Sequence, residues 1–356
     1  DRALPPGSEG QAMASRRMLS AMILPIAFLT GAVPASAVTV QESPFEITGF
    51  MDVLFSKDEA VAGERDFRLG QAELDFFACT SDHSCACVAV AYDPATGTFG
   101  LGAATIEFLI AGKGSDCRHH YEKWERSGLV VGQFDIPFGI DWLSYPSVDR
   151  RTVTAPDAID ATHEGWNELG ASFFVEAARY TARAWVTNGF DAMLWDDEAE
   201  DHVHLATESA LGARASVLPA GGLEIGVSAA TFSTVTDDQA MSLLGADAQA
   251  KRGDWALKAE YVSHRLDFGA AGDFTNNGWY AQATRDFTGW YLFGRYDNVD
   301  FDNDDSDQGG LADLEAVTFG LGLAVAAPAE LRLEYRAALD DNSGEDRLQA
   351  QLVAGF

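Results

Sequence analysis

From Glu46 onward the chain is built of segments of roughly ten residues in which apolar side chains alternate with polar or small ones, the period of a strand rather than of a helix. Near the end, Leu331, Leu333, Tyr335 and Ala337 share one face while Glu330, Arg332, Glu334 and Arg336 share the other. Leu348, Ala350, Leu352, Ala354 and Phe356 likewise oppose Arg347, Gln349 and Gln351, and Trp255, Leu257, Ala259 and Tyr261 alternate with Ala256, Lys258 and Glu260. The pattern predicts strands over 46–56, 67–77, 85–93, 103–111, 127–135, 168–176, 179–188, 206–217, 222–232, 242–251, 254–265, 277–287, 289–298, 316–325, 329–338 and 346–356. That is an even number, sixteen.

A soluble sandwich also alternates, so period alone does not choose the solvent. Three features do. Apolar faces end repeatedly in aromatics (Trp255, Tyr261, Trp279, Phe287, Trp290, Tyr335, Phe356), as membrane-interface girdles require. The strands exceed the usual globular length of about 5–6 residues. Connections alternate strictly between short (177–178, 218–221, 251–253, 288, 326–328) and long (136–167, 189–205, 267–276, 299–315, 340–345), which places turns on the periplasmic side and loops outside. In hydrocarbon every backbone N–H and C=O must be paired, so the sheet has to close. Sixteen tilted strands enclose a lumen too wide for side chains to fill, and a 16-stranded antiparallel transmembrane β-barrel in the bacterial outer membrane is expected.

Composition agrees. Forty-seven per cent hydrophobic residues exclude a disordered acidic tail, and a net charge of -31 with no recurring basic patch excludes nucleic acid as a partner. Arg16 and Arg17 precede an apolar stretch from Leu19 to Val33 that ends in Ala35-Ser36-Ala37, the small-x-small cleavage pattern of a secretory signal peptide. Residues 1–37 are therefore read as leader and 38–356 as the barrel. No run of about 18 apolar residues follows, so no helix is available to span a membrane.

Cys79, Cys85, Cys87 and Cys117 fit an oxidising compartment. All four fall near the periplasmic rim, where a bridge from Cys79 to Cys85 or Cys87 would close a small loop and the remaining one of that pair would reach Cys117. A structural disulfide outweighs metal binding there, because two cysteines one residue apart make a strained chelate.

The fifth segment ends in Gly132-Gln133-Phe134-Asp135-Ile136-Pro137-Phe138-Gly139, followed by the longest unpatterned stretch. This motif, with the last residue Phe356, resembles the phosphate-selective (O and P type) porins of Gram-negative bacteria. The resemblance implies sixteen strands, a third loop folded into the lumen as a constriction, and a homotrimer. Phosphate selectivity is not carried over, because family members select phosphate with an arginine ladder and a lysine ring, whereas this chain has few lysines and very acidic outer loops. Pro137 ends ladder pairing and Gly139 permits a sharp turn.

With the polar face of each strand taken as the lumen side, Arg179, Arg183, Lys258, Glu260, Arg295, Arg332, Glu334, Arg336, Arg347, Gln349 and Gln351 line the channel. Gln133 and Asp135 at the start of the constriction loop, and Asp141, Asp149, Arg150 and Arg151 within it, are the constriction candidates. Opposed acids and bases there would set up a transverse field that favours polar solutes.

Acidic runs at 196–201 and 297–307, with Asp340 and Asp341, surround the outer mouth and would concentrate cations, giving a mild cation preference. Asp304 to Glu315 has part of a calcium-loop spacing, and His202, His204, His119 and His120 are potential ligands, but solvated loops account for both sets and no metal or cofactor is expected. No Gly-x-Ser-x-Gly and no His spaced to a Ser or Asp within a strand is present, so no catalysis is expected. The expected function is passive diffusion of small hydrophilic solutes and ions, with lipid and lipopolysaccharide around the barrel. The alternatives are a plugged structural or adhesive barrel and, behind it, a barrel enzyme.

Overall fold

An isolated strand leaves unpaired donors and acceptors along both edges, and a ring of strands leaves none. In a computed structural model of the chain, which describes residues 45–58, 65–94, 97–112, 125–190, 192–196, 201–236, 239–269, 273–302, 313–339 and 346–356, sixteen strands form such a ring. They are β1 (Phe45–Asp58), β2 (Arg65–Ser81), β3 (Ser84–Asp93), β4 (Thr98–Ala111), β5 (Arg126–Asp135), β6 (Asn167–Ala177), β7 (Tyr180–Asn188), β10 (Thr207–Ala220), β11 (Leu223–Thr234), β12 (Ala240–Arg252), β13 (Trp255–Asp267), β14 (Asp273–Phe287), β15 (Trp290–Asp302), β16 (Leu314–Ala326), β17 (Ala329–Ala338) and β18 (Arg347–Gly355). Every neighbour pair is antiparallel, and β1 closes on β18 from Phe50↔Gly355 to Asp58↔Arg347. Each expected segment coincides with one barrel strand to within a few residues.

Two features differ from the sequence reading. A small separate hairpin, β8 (Ala192–Asp196) with β9 (Asp201–Leu205), occupies the long connection after β7. Its five-residue strands sit in an acidic run and are too short to carry a period. The alternation of short and long connections also breaks once: only four residues, 94–97, separate β3 from β4 on the long-loop end, and 112–125 separate β4 from β5 on the short-turn end. The leader, Cys117, His119 and His120, the greater part of the second acidic run, and Asp340 and Asp341 lie outside the described residues. Nothing is described of the His202 and His204 side chains either.

The barrel is inside out relative to a soluble protein. Leu257 (51% exposed), Leu348 and Leu352 point outward, whereas Arg295 (2%), Glu334 (1%) and Gln351 (1%) are buried on the inside. Such a surface is stable only against hydrocarbon. Trp255, Trp290 and Phe287 gather outside at the short-turn end, Phe287 stacked on Trp290 at 4.1 Å and Arg285 lying over both Trp255 and Phe287, as an interfacial belt requires.

At the same end Cys79 and Cys85, cross-strand partners in β2 and β3, are joined by a disulfide, one of the pairings the spacing leaves open. Cys87 is buried two residues further along β3.

Candidate functional site: the lumen and its inner loop

Residues 136–166, between β5 and β6, turn into the barrel. Pro137 withholds an amide from the ladder, and the Ile136 amide donates to the Trp166 carbonyl at 2.8 Å, closing the base of the loop. Gly139 then turns the chain with φ +65, and a Cβ there would lie 1.6 Å from Glu260 Oε1. Only glycine meets both demands. A Gly139→Val protein is expected to fold as a barrel with its loop displaced, and limited proteolysis should cut within 136–166 in the variant while sparing the native chain. Equal resistance would show that the turn tolerates a side chain.

From Gly139 the loop is tied to the wall largely through its own backbone. Gly139 N–H donates to Ser228 Oγ (3.0 Å), Ile140 N–H to Glu260 (3.2 Å) and Ser147 N–H to Gln71 (2.6 Å). Glu334 accepts from Val153 N–H at 2.8 Å, from Thr154 N–H and from the Thr154 hydroxyl at 2.7 Å, and Asp297 accepts from Asp157 N–H at 3.0 Å. Wall cations and phenols meet the loop carbonyls: Arg332 donates to Ser147 (2.6 Å), Tyr291 to Arg151 (2.9 Å) and Arg295 to Thr154 (2.9 Å). Two loop carboxylates complete the set, Asp141 with Lys258 and Tyr280, and Asp157 with Arg336 at 2.6 Å.

The other face of the loop is apolar. Ile136, Phe138, Ile159 and Trp166 pack with Phe134, Trp185, Phe232, Leu243 and Val262 in a core inside the barrel. The short helix α1 (Asp157–Asp160) lies directly on β14, where a Cβ on Gly278 would come within 2.9 Å of the Ala158 Cβ. Burial beside His264 holds the His163 imidazole down to about 4, so it stays neutral against Phe138 at physiological pH.

Most wall arginines are neutralised in place. Arg295 pairs with Asp297 (2.6 Å), Arg183 and Arg126 with Glu176 (2.6 Å each), and Arg214 with Asp247. The wall of β1 and β2 is different. Glu73 and Asp75 lie half-buried on its inner face, joined by a side-chain hydrogen bond, with Asp149 of the loop near enough to act on Glu73. Thr48 donates to Asp75 at 3.5 Å.

Of the residues singled out by sequence, Arg183, Lys258, Glu260, Arg295, Arg332, Glu334, Arg336, Gln349 and Gln351 share the inner face, and Arg347 follows the same alternation while remaining exposed at the long-loop end. Arg179 is an exposed residue of the turn between β6 and β7. Gln133 and Asp135 are separated from the rest of the constriction set. Strand alternation turns Phe134 inward, so these two fall on the outer face of β5, where Asn167 bonds Gln133 (2.9 Å) and Asp135 (2.8 Å). Asp141, Asp149, Arg150 and Arg151 remain within the loop. The sequence reading missed Glu73, Asp75 and Gln71 and assigned Asp297 to the acidic outer mouth, whereas Asp297 is buried inside against Arg295 and the loop; period two along β2 and β15 already assigns all four to the inner face.

Solved structures of the same architecture put this arrangement in context. The anion-selective porin from Comamonas acidovorans superposes with a TM-score of 0.58 at 14% identity, covering 88% of this chain and 99% of that one. The outer membrane channel DcaP of Acinetobacter baumannii gives 0.59 at 12% identity over 88% and 97%. OmpT of Vibrio cholerae in its trimer form gives 0.56 at 13% identity over 88% and 99%. The chain is an outer-membrane β-barrel of porin fold. A family model, the beta-barrel domain of the S-layer protein SlpA, matches residues 186–329, and no curated protein matches the sequence. Within the porin fold, the inner loop of this chain is the element that occupies the lumen.

Proposed function

We propose that the protein is a porin, a water-filled channel through which small hydrophilic solutes and ions cross the outer membrane passively. The observation that carries this reading is the uneven use of the interior. The loop is bonded mainly to the walls of β11, β13, β15 and β17, with a single bond to Gln71 of β2, while Glu73 and Asp75 keep partial access to water on the inner face of β2 and Asp149 is exposed on the loop. With the wall arginines paired, these acids dominate the open side and support a cation preference. Arg183, Arg295, Arg332 and Arg336 then act as lining whose charge is largely spent on the fold, with Arg347 at the long-loop mouth. Assembly as a homotrimer, surrounded by lipid and lipopolysaccharide, belongs to the same proposal.

A second reading is a plugged structural barrel. It is favoured by the S-layer barrel match over 186–329 and by the apolar core inside the strands. Current through purified protein in a planar bilayer separates the two. A porin gives large ohmic steps, in threes for a trimer, and a reversal potential in a salt gradient whose sign reports cation preference. Silence from folded protein would leave the structural barrel standing.

A further inference from the structure

Between the inner loop and the short-turn ends of β11, β12, β13 and β14 lies a chamber of about 420 Å³. Its charged lining is mixed, with Arg150, Arg151, Lys251 and Lys258 against Asp149, Glu224 and Asp286. Most of these charges are already answered. Arg151 is 3.5 Å from Asp286 and 3.7 Å from Glu330, Lys258 is paired with Asp141, and Glu224 is met by Arg214 at 3.4 Å and by Gln249 at 2.8 Å. Lys251 is exposed to water.

Arg150 is different. Its Nε is buried without a hydrogen-bond partner, and among the described residues its guanidinium makes no ion pair. The ring of Tyr145 lies 5.7 Å from its Cζ. Asp160 and Glu334 act on its charge from beyond contact, with Arg332 opposing them, and Glu334 is committed to the loop amides. A partly buried guanidinium that lines the chamber with no carboxylate in contact favours an anion. A second unanswered group lines the same chamber. Gln282 is 8% exposed, and its amide oxygen is buried with no hydrogen-bond partner among the described residues, an acceptor left to be met.

We propose that this chamber binds a small carboxylate that also carries a hydroxyl or ammonium group, its carboxylate held by Arg150 and its donor by Gln282. One uncompensated guanidinium suits a single negative charge. The volume holds such a solute together with several waters, each of which takes roughly 30 Å³. The proposal rests on the channel reading only for how the solute arrives.

Isothermal titration of the full-length protein in detergent tests it, with lactate as probe, propionate as the analogue without a hydroxyl, and inorganic phosphate as the competing oxyanion. Lactate is expected to bind saturably and several-fold more tightly than propionate or phosphate. Arg150→Gln should weaken lactate about tenfold or more, the range of a charged hydrogen bond. Gln282→Leu should bring lactate down to the level of propionate and leave propionate unchanged. If Arg150→Gln loosens the loop itself, visible as faster amide exchange at Val153 and Thr154, Gln282→Leu decides alone. Absence of saturable lactate binding, tighter binding of phosphate, or equal affinities in native and Gln282→Leu protein would overturn the proposal. Lactate binding by a barrel that passes no current would instead remove the channel reading and leave this site intact.

Discussion

Replacing Glu334 by alanine is expected to unfasten the middle of the inner loop, speeding amide exchange at Val153 and Thr154 by about two orders of magnitude. This one carboxylate takes two loop amides and one loop hydroxyl while 1% exposed, and charged hydrogen bonds of this kind contribute about 1.5–3 kcal/mol each. Its loss also removes one of the two carboxylates acting on Arg150 from beyond contact, while Asp160 remains and Arg332 keeps its ion pair with Glu330 at 2.5 Å. Arg295 keeps Asp297, and the Asp157 amide keeps its bond to the same carboxylate, so the disturbance should stop near α1 rather than unravel the whole loop. In a bilayer the variant should show noisier open-channel current than the native protein. Glu334→Gln retains one acceptor oxygen and should fall between. Native exchange rates at both amides in the alanine variant would mean that the apolar core, not the carboxylate, holds the loop.

The barrel was readable from the chain because both of its surfaces impose period two. Lipid selects Leu257, Leu333 and Leu352, and the interior selects Glu260, Glu334 and Gln351, so each strand carries its register in its own residues. The docking of the loop left no such trace. Glu334 and Val153 are 181 positions apart, and the loop contributes a backbone amide that any residue but proline offers. The acceptors stood in the sequence as polar lining; their partners did not. The Gly132 to Gly139 motif shows the limit from the other side. Gly139 and Pro137 act as their residue types require, but the motif continues β5 through Asp135, and its alternation sends Gln133 and Asp135 out of the lumen. Arg179 belongs to a turn for a related reason: strand boundaries, unlike strand faces, are set by one or two residues.

Neutralising the acids on the open side should have the largest effect on what passes. In a Glu73→Gln, Asp75→Asn, Asp149→Asn protein, the cation-to-anion permeability ratio is expected to fall roughly tenfold at low salt, the scale for two to three unit charges several ångströms from an ion in water. Raising the salt should shrink the difference between variant and native protein, because the Debye length is about 10 Å at 0.1 M and about 3 Å at 1 M. The three are expected to act as a group. Glu73 and Asp75 share a hydrogen bond, and Asp149 acts on Glu73 across the gap between loop and wall. Each single variant should therefore shift the reversal potential by less than the triple variant does. The loop is held by other residues, so unit conductance should change less than selectivity. If the triple variant keeps the native reversal potential, the ion path lies elsewhere in the lumen, and the mixed charges under the loop become the surface that selects.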